Sequence, residues 1–200
     1  MKLIAWDFDG VLNRGYQGGF FEWQRTFEAD LGISAAAFTD YMFNGPRFAQ
    51  VLTGQRDLLD LLGDYISAHD VPHEPAALLD YWLSKDAHAD PQVVAWLDAC
   101  PVPGVIATNN EGHRADYIWH TMGFSGRMQR MFASGRMGVK KPDAGFFAQI
   151  EEWSGLAPGD ILLIDDAGKN IAAAALRGWQ VFHFTDDTRH MLPQVLGATP

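Results

Sequence analysis

The chain has 200 residues, 48% of them hydrophobic and 12% aromatic, and its formal net charge is −10 at pH 7. A globular chain of this size buries roughly 70% of its unfolded surface, which suffices for one large domain or for a core with a smaller inserted unit. The negative charge and the lack of a Lys/Arg run disfavour a nucleic-acid surface and an anionic membrane surface.

Cysteine content and the N-terminal sequence bear on the compartment. Cys100 is the only cysteine, which excludes an internal disulfide, and its apolar surroundings predict a buried packing thiol. Asp7 interrupts the N-terminal apolar run, so this run does not fit the pattern of a signal peptide. No apolar stretch approaches the ~18 residues of a membrane span. We expect a cytoplasmic protein, as a monomer or a homodimer, that binds neither nucleic acid nor membrane.

The first predicted strand ends in the run IAWDFDG, residues 4–10. Its apolar residues suit a strand that is covered on both faces, whereas an unpaired buried carboxylate is costly. We therefore expect Asp7 and Asp9 at the exit of the strand, where the chain turns through Gly10.

The next segment, residues 15–89, carries only helical signals. Apolar residues repeat at helical spacing in residues 20–31, 58–66 and 78–83. Asp90-Pro91 then predicts the start of a helix that returns to the sheet. We accordingly divide the chain into a core, residues 1–14 and 90–200, and a helical cap, residues 15–89.

Four further apolar runs, residues 105–108, 130–134, 160–165 and 179–184, alternate with helical patterns in the last half of the chain. Strands that alternate with helices indicate a parallel sheet with right-handed crossovers. The predicted fold class is α/β, with a Rossmann-like parallel sheet core and a small all-helical cap inserted after the first strand.

Open α/β sheets bind ligands at the carboxyl ends of their strands, and polar residues follow three of the predicted strands or, for Lys141, precede the helix predicted to start at Pro142. This set comprises Asp7, Asp9, Thr108, Asn109, Lys141, Asp165 and Asp166. Converging carboxylates repel one another unless a hard cation neutralises them, which predicts Mg²⁺. Phosphate is a common partner of such a site, and Thr108 and Lys141 are suited to hold phosphoryl oxygens.

The two leading aspartates suit two roles in phosphoryl transfer. An oriented carboxylate is a competent nucleophile toward phosphorus. Side chains two residues apart on a strand share a face. Asp9 is therefore able to protonate the leaving oxygen while Asp7 attacks, and then to deprotonate the water that hydrolyses the aspartyl-phosphate.

Four motifs, DFDGVLN, ATNN, KKPD and LLIDDAGKN, occur in this order and resemble those of the haloacid dehalogenase (HAD) superfamily. The resemblance implies Asp7 as nucleophile and Asp9 as general acid/base whose backbone carbonyl also binds Mg²⁺. It further implies Thr108, Asn109 and Lys141 as phosphate-binding residues, and Asp7, Asp9, Asp165 and Asp166 as the metal site. The insertion resembles the helical cap of the subfamily that includes phosphoglycolate phosphatase and β-phosphoglucomutase.

The fourth motif departs from that of many relatives, which carry GD and a later aspartate. Here Asp166 aligns with the aspartate of GD, and whether Asp165 shares the metal or orients its surroundings stays open. Asn170 is interpreted either as a residue that orients a carboxylate or as a simple helix-start residue. Lys141, which abuts Pro142, fits the family pattern better than Lys140 does.

Three arginines, Arg14, Arg47 and Arg56, lie near the entrance of the insertion or on its loops. Each is a candidate for binding a second anionic group of the substrate, and the alternative for each is an exposed solubilising charge. The glycine-flanked loop of residues 44–57 is the segment we expect to face the substrate, with Tyr16 and Phe48 as further candidates.

The leading functional hypothesis is a Mg²⁺-dependent phosphomonoesterase that acts on a small phosphorylated metabolite. A phosphomutase of the same fold remains an alternative that no residue excludes. A haloacid dehalogenase is disfavoured because a halide needs no proton from Asp9. A receiver domain is contradicted by the order of the motifs, and a non-catalytic phosphate-binding protein is disfavoured because every catalytic position is filled.

Overall fold

The computed structural model describes residues 1–17 and 20–197, and only the backbone of residues 16 and 17. These residues form an α/β fold around one parallel sheet. The strands are β1 Leu3–Trp6, β2 Tyr16–Gln17, β3 Phe20–Phe21, β4 Gly104–Thr108, β5 Met131–Ala133, β6 Ile161–Asp165 and β7 Gln180–His183. Five of them form the parallel sheet in the order β5-β4-β1-β6-β7, which confirms the predicted fold class.

Strand β1 lies at the centre of the sheet. It pairs in parallel with β4 on one side, with Ile4 opposite Gly104, and with β6 on the other, with Leu3 opposite Ile161. The strand order therefore reverses at β1, and the carboxyl ends of β1, β4 and β6 are neighbours. Ligands of open α/β sheets bind at such a reversal point.

Helices cover both faces of this sheet. In the described residues they are α6 Pro91–Ala99, α7 Gly112–Asp116, α8 Ser134–Met137, α9 Ala144–Ser154, α10 Gly168–Leu176 and α11 Leu192–Val195, and a π-helical turn, Tyr117–Thr121, continues α7. Side chains alternate between the faces of a strand, so Trp6 joins one apolar cluster with residues of α6 and α11. Ala5 joins a second cluster with residues of α9 and α10.

Five helices lie between β3 and α6. They are α1 Gln24–Leu31, α2 Ala35–Phe43, α3 Arg47–Leu52, α4 Leu58–His69 and α5 Pro75–Lys85. Their buried apolar side chains form a third cluster, centred on Trp23, Phe38 and Trp82, in which aromatic rings contact one another edge to face or at a tilt.

Two details differ from the sequence-based expectations. The insertion is not wholly helical, because β2 and β3 pair as an antiparallel hairpin, Tyr16 opposite Phe21. Aromatic residues that favour strands flank the two glycines of this segment, and that pattern suits a hairpin. Cys100 is only half-buried, at the end of α6 against the first apolar cluster.

The chain enters and leaves the insertion at adjacent points. The backbone N–H of Arg14 donates to the carbonyl of His88 at 2.8 Å, and that of Asp90 donates to the carbonyl of Leu12 at 2.8 Å. We retain residues 15–89 as the proposed cap, and this pairing supports its boundaries. No helix in the described part of the chain combines the length and the apolar character that crossing a membrane requires.

Candidate active site

Three carboxylates and one ammonium converge at the carboxyl ends of β1 and β6. Oxygen atoms of Asp7, Asp165 and Asp166 all lie within 4.8 Å of one another. Lys141 Nζ lies 3.0 Å from Asp7 Oδ2 and 2.6 Å from Asp165 Oδ2, and Lys141 is only 1% exposed. We call these four residues the carboxylate cluster.

The carboxylate cluster holds more negative than positive charge. Burial raises the pKa of Asp7 well above its usual range, and although Lys141 opposes this shift, Asp165 and Asp166 reinforce it. Partial desolvation beside the cluster, followed by the charge of Asp165, likewise raises the pKa of Asp166. An oxygen-only donor set that is short of positive charge fits a hard divalent cation such as Mg²⁺.

Asp165 and Asp166 stand in different surroundings. Asp165 is completely buried and accepts hydrogen bonds from the backbone N–H of Ala167 at 2.9 Å and from Asn170 Nδ2 at 3.0 and 3.1 Å. Asp166 is exposed. Asn170, in the first turn of α10, thus orients a carboxylate, and its buried Oδ1 has no hydrogen-bond partner among the described residues.

Gly10 provides the space that Asp166 occupies. Its φ is +86°, and a Cβ built on it would lie 2.2 Å from Asp166 Oδ2. Any larger residue would be strained at this φ and would displace the Asp166 carboxylate.

Thr108 is the last residue of β4, on the other side of β1, and Asn109 follows it. The side-chain amide of Asn109 forms two hydrogen bonds with the backbone of Lys141. Its Nδ2 donates to the Lys141 carbonyl at 2.9 Å, and its Oδ1 accepts from the Lys141 N–H at 2.8 Å. Thr108 is buried, and its hydroxyl accepts from Asn110 Nδ2 at 2.7 Å. Lys140 is only half-buried, so the geometry favours Lys141 over its neighbour.

Asp9 is held apart from the carboxylate cluster. Its Oδ1 accepts from Arg114 Nη2 at 2.8 Å and from Asn13 Nδ2 at 3.0 Å, and its Oδ2 accepts from Asn110 Nδ2 at 2.9 Å. Burial acts to raise the pKa of Asp9, but Arg114 and the two amides outweigh it and hold the pKa below its usual value. The Asp9 side chain is nevertheless 45% exposed, so a ligand can reach it.

Arg114, on α7, is the cation that sequence reasoning missed. It also forms an ion pair with Asp86 at 2.8 Å, and its Nη1 is buried without a hydrogen-bond partner among the described residues. Burial raises the pKa of Asp86 to about 6, although Arg114 opposes the shift. The available signal was its place in the sequence, one helical turn after the ATNN motif.

Asp9 and Arg114 line a cavity of about 170 Å³ between the sheet and the insertion. Aromatic side chains supply its apolar walls, namely Phe21, Trp23, Phe43, Phe48 and Trp82. The sequence-based expectation had named Phe48, whereas the side chain of Tyr16 lies outside the described residues. We call this space the aromatic cavity.

The three arginines that were candidates for binding a second anionic group are not among the residues that line the aromatic cavity. Arg14 lies 3.5 Å from Asp90, Arg47 stacks 4.7 Å over the ring of Tyr41, and Arg56 forms an ion pair with Asp64. Arg56 lines a separate, polar cavity beside α7.

Comparison with known proteins is consistent with this geometry. The chain resembles a predicted HAD-like family hydrolase from Porphyromonas gingivalis, with a TM-score of 0.76, 17% sequence identity and coverage of 98% of both chains. It also resembles a HAD family enzyme from Bacteroides thetaiotaomicron in complex with magnesium and inorganic phosphate, with a TM-score of 0.76, 16% identity and coverage of 92% of this chain and 94% of the other.

A third similar structure is the L-2-haloacid dehalogenase of Xanthobacter autotrophicus, with a TM-score of 0.67, 15% identity and coverage of 100% of this chain and 84% of the other. Identities this low establish a common fold alone. No curated protein sequence matches the chain. The model of the haloacid dehalogenase-like hydrolase family matches residues 1–178. The chain therefore belongs to the haloacid dehalogenase-like hydrolases and is an enzyme of that family.

Proposed function

We propose that the protein is a Mg²⁺-dependent phosphomonoesterase that acts on a small phosphorylated metabolite through an aspartyl-phosphate intermediate. One observation carries the proposal. A nucleophile, Asp7, lies in a cluster of carboxylates with one lysine, while a second acid, Asp9, faces a cavity that is large enough for a leaving group.

In the first step, an Asp7 carboxylate oxygen attacks phosphorus and the bond between phosphorus and the leaving oxygen breaks. The Phe8 N–H donates to Asp7 Oδ1 at 2.7 Å, and Lys141 contacts Oδ2, so the carboxylate is held in one orientation. Fixed orientation of the nucleophile is a major source of rate enhancement. Asp9 supplies the proton that the leaving oxygen needs.

In the second step, Asp9 takes a proton from water, the water oxygen attacks phosphorus, and the bond between phosphorus and Asp7 breaks. Arg114 and the two amides favour the ionised form of Asp9, which is the form that this step requires. A phosphate dianion beside Asp9 shifts the equilibrium in the opposite direction, because a like charge raises the pKa of a carboxyl group. Bound substrate thus favours the protonated form that the first step requires.

Asp7, Asp165 and Asp166 are the residues that would hold the metal, and the carbonyl of Asp9 is a further proposed ligand. Bound Mg²⁺ would neutralise these carboxylates and the charge of the phosphoryl oxygens. Lys141 adds positive charge beside Asp7, and the buried hydroxyl of Thr108 is proposed to bind a phosphoryl oxygen. We propose that Asn109 contributes by holding Lys141 in place.

Two other activities occur on this fold, and an observation on Asp9 separates the dehalogenase from the proposal. A dehalogenase needs no acid beside the nucleophile, because halide leaves without a proton. Here Asp9 receives hydrogen bonds from three side chains and faces the aromatic cavity, which supports a proton-transfer role. A phosphomutase would pass the phosphoryl group to a second hydroxyl instead of water, so product analysis separates it from a phosphatase.

The test is phosphate release from a panel of small phosphate esters, measured with Mg²⁺ and with a chelator. Release is expected with Mg²⁺ only, and Asp7→Asn is expected to lower it by about 10⁴-fold or more because the nucleophile is lost. Asp187→Asn, which removes an exposed aspartate, is the matched control. Metal-independent release, or a variant at Asp7 that keeps most of the activity, would contradict the proposal.

A further inference from the structure

The position of Asp9 ties the aromatic cavity to the leaving group of the substrate. In the proposed reaction, Asp9 passes a proton to the leaving oxygen, so the alcohol portion of the substrate lies next to the Asp9 carboxylate. That carboxylate forms part of the wall of the aromatic cavity. The shape and chemistry of this cavity therefore select the alcohol portion of the substrate.

The walls of the aromatic cavity favour an apolar group. Phe21, Phe43 and Phe48 are half-buried there, while Trp23 and Trp82 are buried. The volume, about 170 Å³, is that of a single ring. For comparison, an apolar protein cavity of about 150 Å³ takes up benzene.

Polar side chains that line the aromatic cavity already have partners within the protein. Asn110 donates to Asp9 and to Thr108, and Glu111 accepts from the backbone N–H groups of His113 and Arg114. Asp86 pairs with Arg114. A ligand that carries many hydroxyls would bury polar groups without enough partners, which is costly.

The charge balance of the cavity disfavours an anionic alcohol portion. Arg114 is the cation among the described residues that line it, and its charge is already shared between Asp9 and Asp86. A substrate carboxylate placed there would face three carboxylates, those of Asp9, Asp86 and Glu111, and one guanidinium that is already paired. Arg114 Nη1 has no hydrogen-bond partner among the described residues and is a donor that an uncharged acceptor oxygen would satisfy.

We propose that the substrates are phosphate monoesters of an uncharged, mainly apolar alcohol about one ring in size, and that the aromatic cavity binds this ring. This inference rests on the proposed phosphatase function and narrows its substrate class. It departs from the polyhydroxylated and carboxylated substrates of the enzymes that the cap segment resembles in sequence.

Two matched substrate pairs test the proposal. Cyclohexylmethyl phosphate and glucose 6-phosphate both carry a six-membered ring on a CH₂–O–phosphate group but differ in their hydroxyls. 2-Hydroxyethyl phosphate and phosphoglycolate are similar in size but differ in charge. We expect kcat/KM to be higher by roughly 100-fold for the apolar ring. The uncharged member of the second pair is also expected to be preferred.

A substitution in the cavity wall tests whether the aromatic cavity causes the preference for the apolar ring. Phe48→Ala is expected to lower kcat/KM for cyclohexylmethyl phosphate by about tenfold more than it lowers the value for 2-hydroxyethyl phosphate. Phe20→Ala is the control, because Phe20 is 62% exposed and is not among the residues that line the cavity. Binding of cyclohexylmethanol, followed by tryptophan fluorescence, provides a readout that does not depend on turnover, since Trp23 and Trp82 line the cavity.

The outcomes separate the two proposals. Phosphate release that shows no preference for the apolar ring, or equal effects of Phe48→Ala on both substrates, would overturn the cavity assignment and leave the phosphatase function standing. No release from any ester would overturn the phosphatase function and the substrate class together, even if cyclohexylmethanol binds. A preference for the apolar ring that Phe48→Ala removes would support both.

Discussion

The carboxylate cluster and the aromatic cavity adjoin each other, yet they are built in opposite ways. The three aspartates of the carboxylate cluster lie at or next to strand ends, Lys141 lies in the loop before α9, and charge dominates the cluster. The aromatic cavity draws its aromatic walls from β3, α2, α3, α5 and Trp23, which immediately precedes α1, and apolar rings dominate it. Asp9 is the residue they share in the proposed reaction, since it is two positions from Asp7 in sequence and forms part of the cavity wall.

This difference suggests a division of labour within the enzyme. Residues on the sheet fix the reacting groups, because parallel strands hold their carboxyl ends in register. Residues of the insertion determine which leaving groups bind beside these reacting groups. Substitutions in the carboxylate cluster should therefore affect all substrates, while those in the aromatic cavity should affect some substrates and spare others.

Loss of Lys141 should produce the largest effect on the carboxylate cluster. Lys141→Gln leaves Asp7 and Asp165 buried without their cation, so we expect a loss of about 3–5 kcal/mol in unfolding free energy and loss of phosphate release for every substrate. Lys140→Gln is the neighbouring control and should change stability by about 0.5 kcal/mol or less. Denaturant unfolding of both variants measures this, and equal losses would contradict the assignment of Lys141.

Asp9→Asn should lower activity toward some substrates much more than toward others, because Asp9 also lines the aromatic cavity and donates a proton to the leaving group in the proposed reaction. An alkoxide leaving group needs a proton, whereas p-nitrophenolate leaves without one. We expect turnover to fall by about 10²–10⁴-fold for an alkyl phosphate and much less for p-nitrophenyl phosphate. The ratio of the two kcat/KM values is the measurement, and an equal fall for both substrates would argue against proton donation by Asp9.

Gly10→Ala should weaken the metal site through Asp166. The new Cβ would lie 2.2 Å from Asp166 Oδ2, so we expect the affinity for Mg²⁺ to fall by about 10–100-fold. Calorimetric titration with Mg²⁺ measures this. Gly155→Ala is the matched control, because Gly155 also has a positive φ, +65°, but no atom within 4 Å of its Cβ position. An unchanged affinity in Gly10→Ala would contradict the proposal that the Asp166 carboxylate binds Mg²⁺ from this position.

Asp86→Asn should change how the stability of the protein depends on pH. The pKa of Asp86 is raised from 3.8 to about 6 in the folded protein, so the folded state holds an extra proton between these values. Stability therefore falls as pH rises through this window, by up to about 3 kcal/mol. We expect the variant to show a flatter dependence of unfolding free energy on pH from about 4 to about 6, and an unchanged slope would contradict the role of Asp86 burial.

The sheet and the carboxylate cluster were predictable because their signals are local. An apolar run followed by DFD or DD indicates a strand with aspartates at its carboxyl end. The alternation of strands and helices indicates a parallel sheet, in which the carboxyl ends of the strands lie at the same edge. The hairpin β2–β3 was missed because the helical spacing of aromatic residues that begins at Phe20 outweighed the two glycines before it.

The aromatic cavity and the ion pairs of Arg114 were beyond the reach of sequence reasoning. Asp86 and Arg114 are 28 positions apart, and neither carries a motif that predicts the other. Arg14, Arg47 and Arg56 attracted attention as cations near the insertion, but their partners, Asp90, Tyr41 and Asp64, are set by packing that no spacing rule describes.

The most direct test of the central claim is to trap the covalent intermediate. The enzyme is mixed with Mg²⁺ and an alkyl phosphate, quenched with acid within a single turnover, digested and analysed by mass spectrometry. The account predicts a phosphoryl group on the peptide that contains Asp7 and none on that peptide in Asp7→Asn. Phosphate release without an adduct, or an adduct on a different residue, would contradict it.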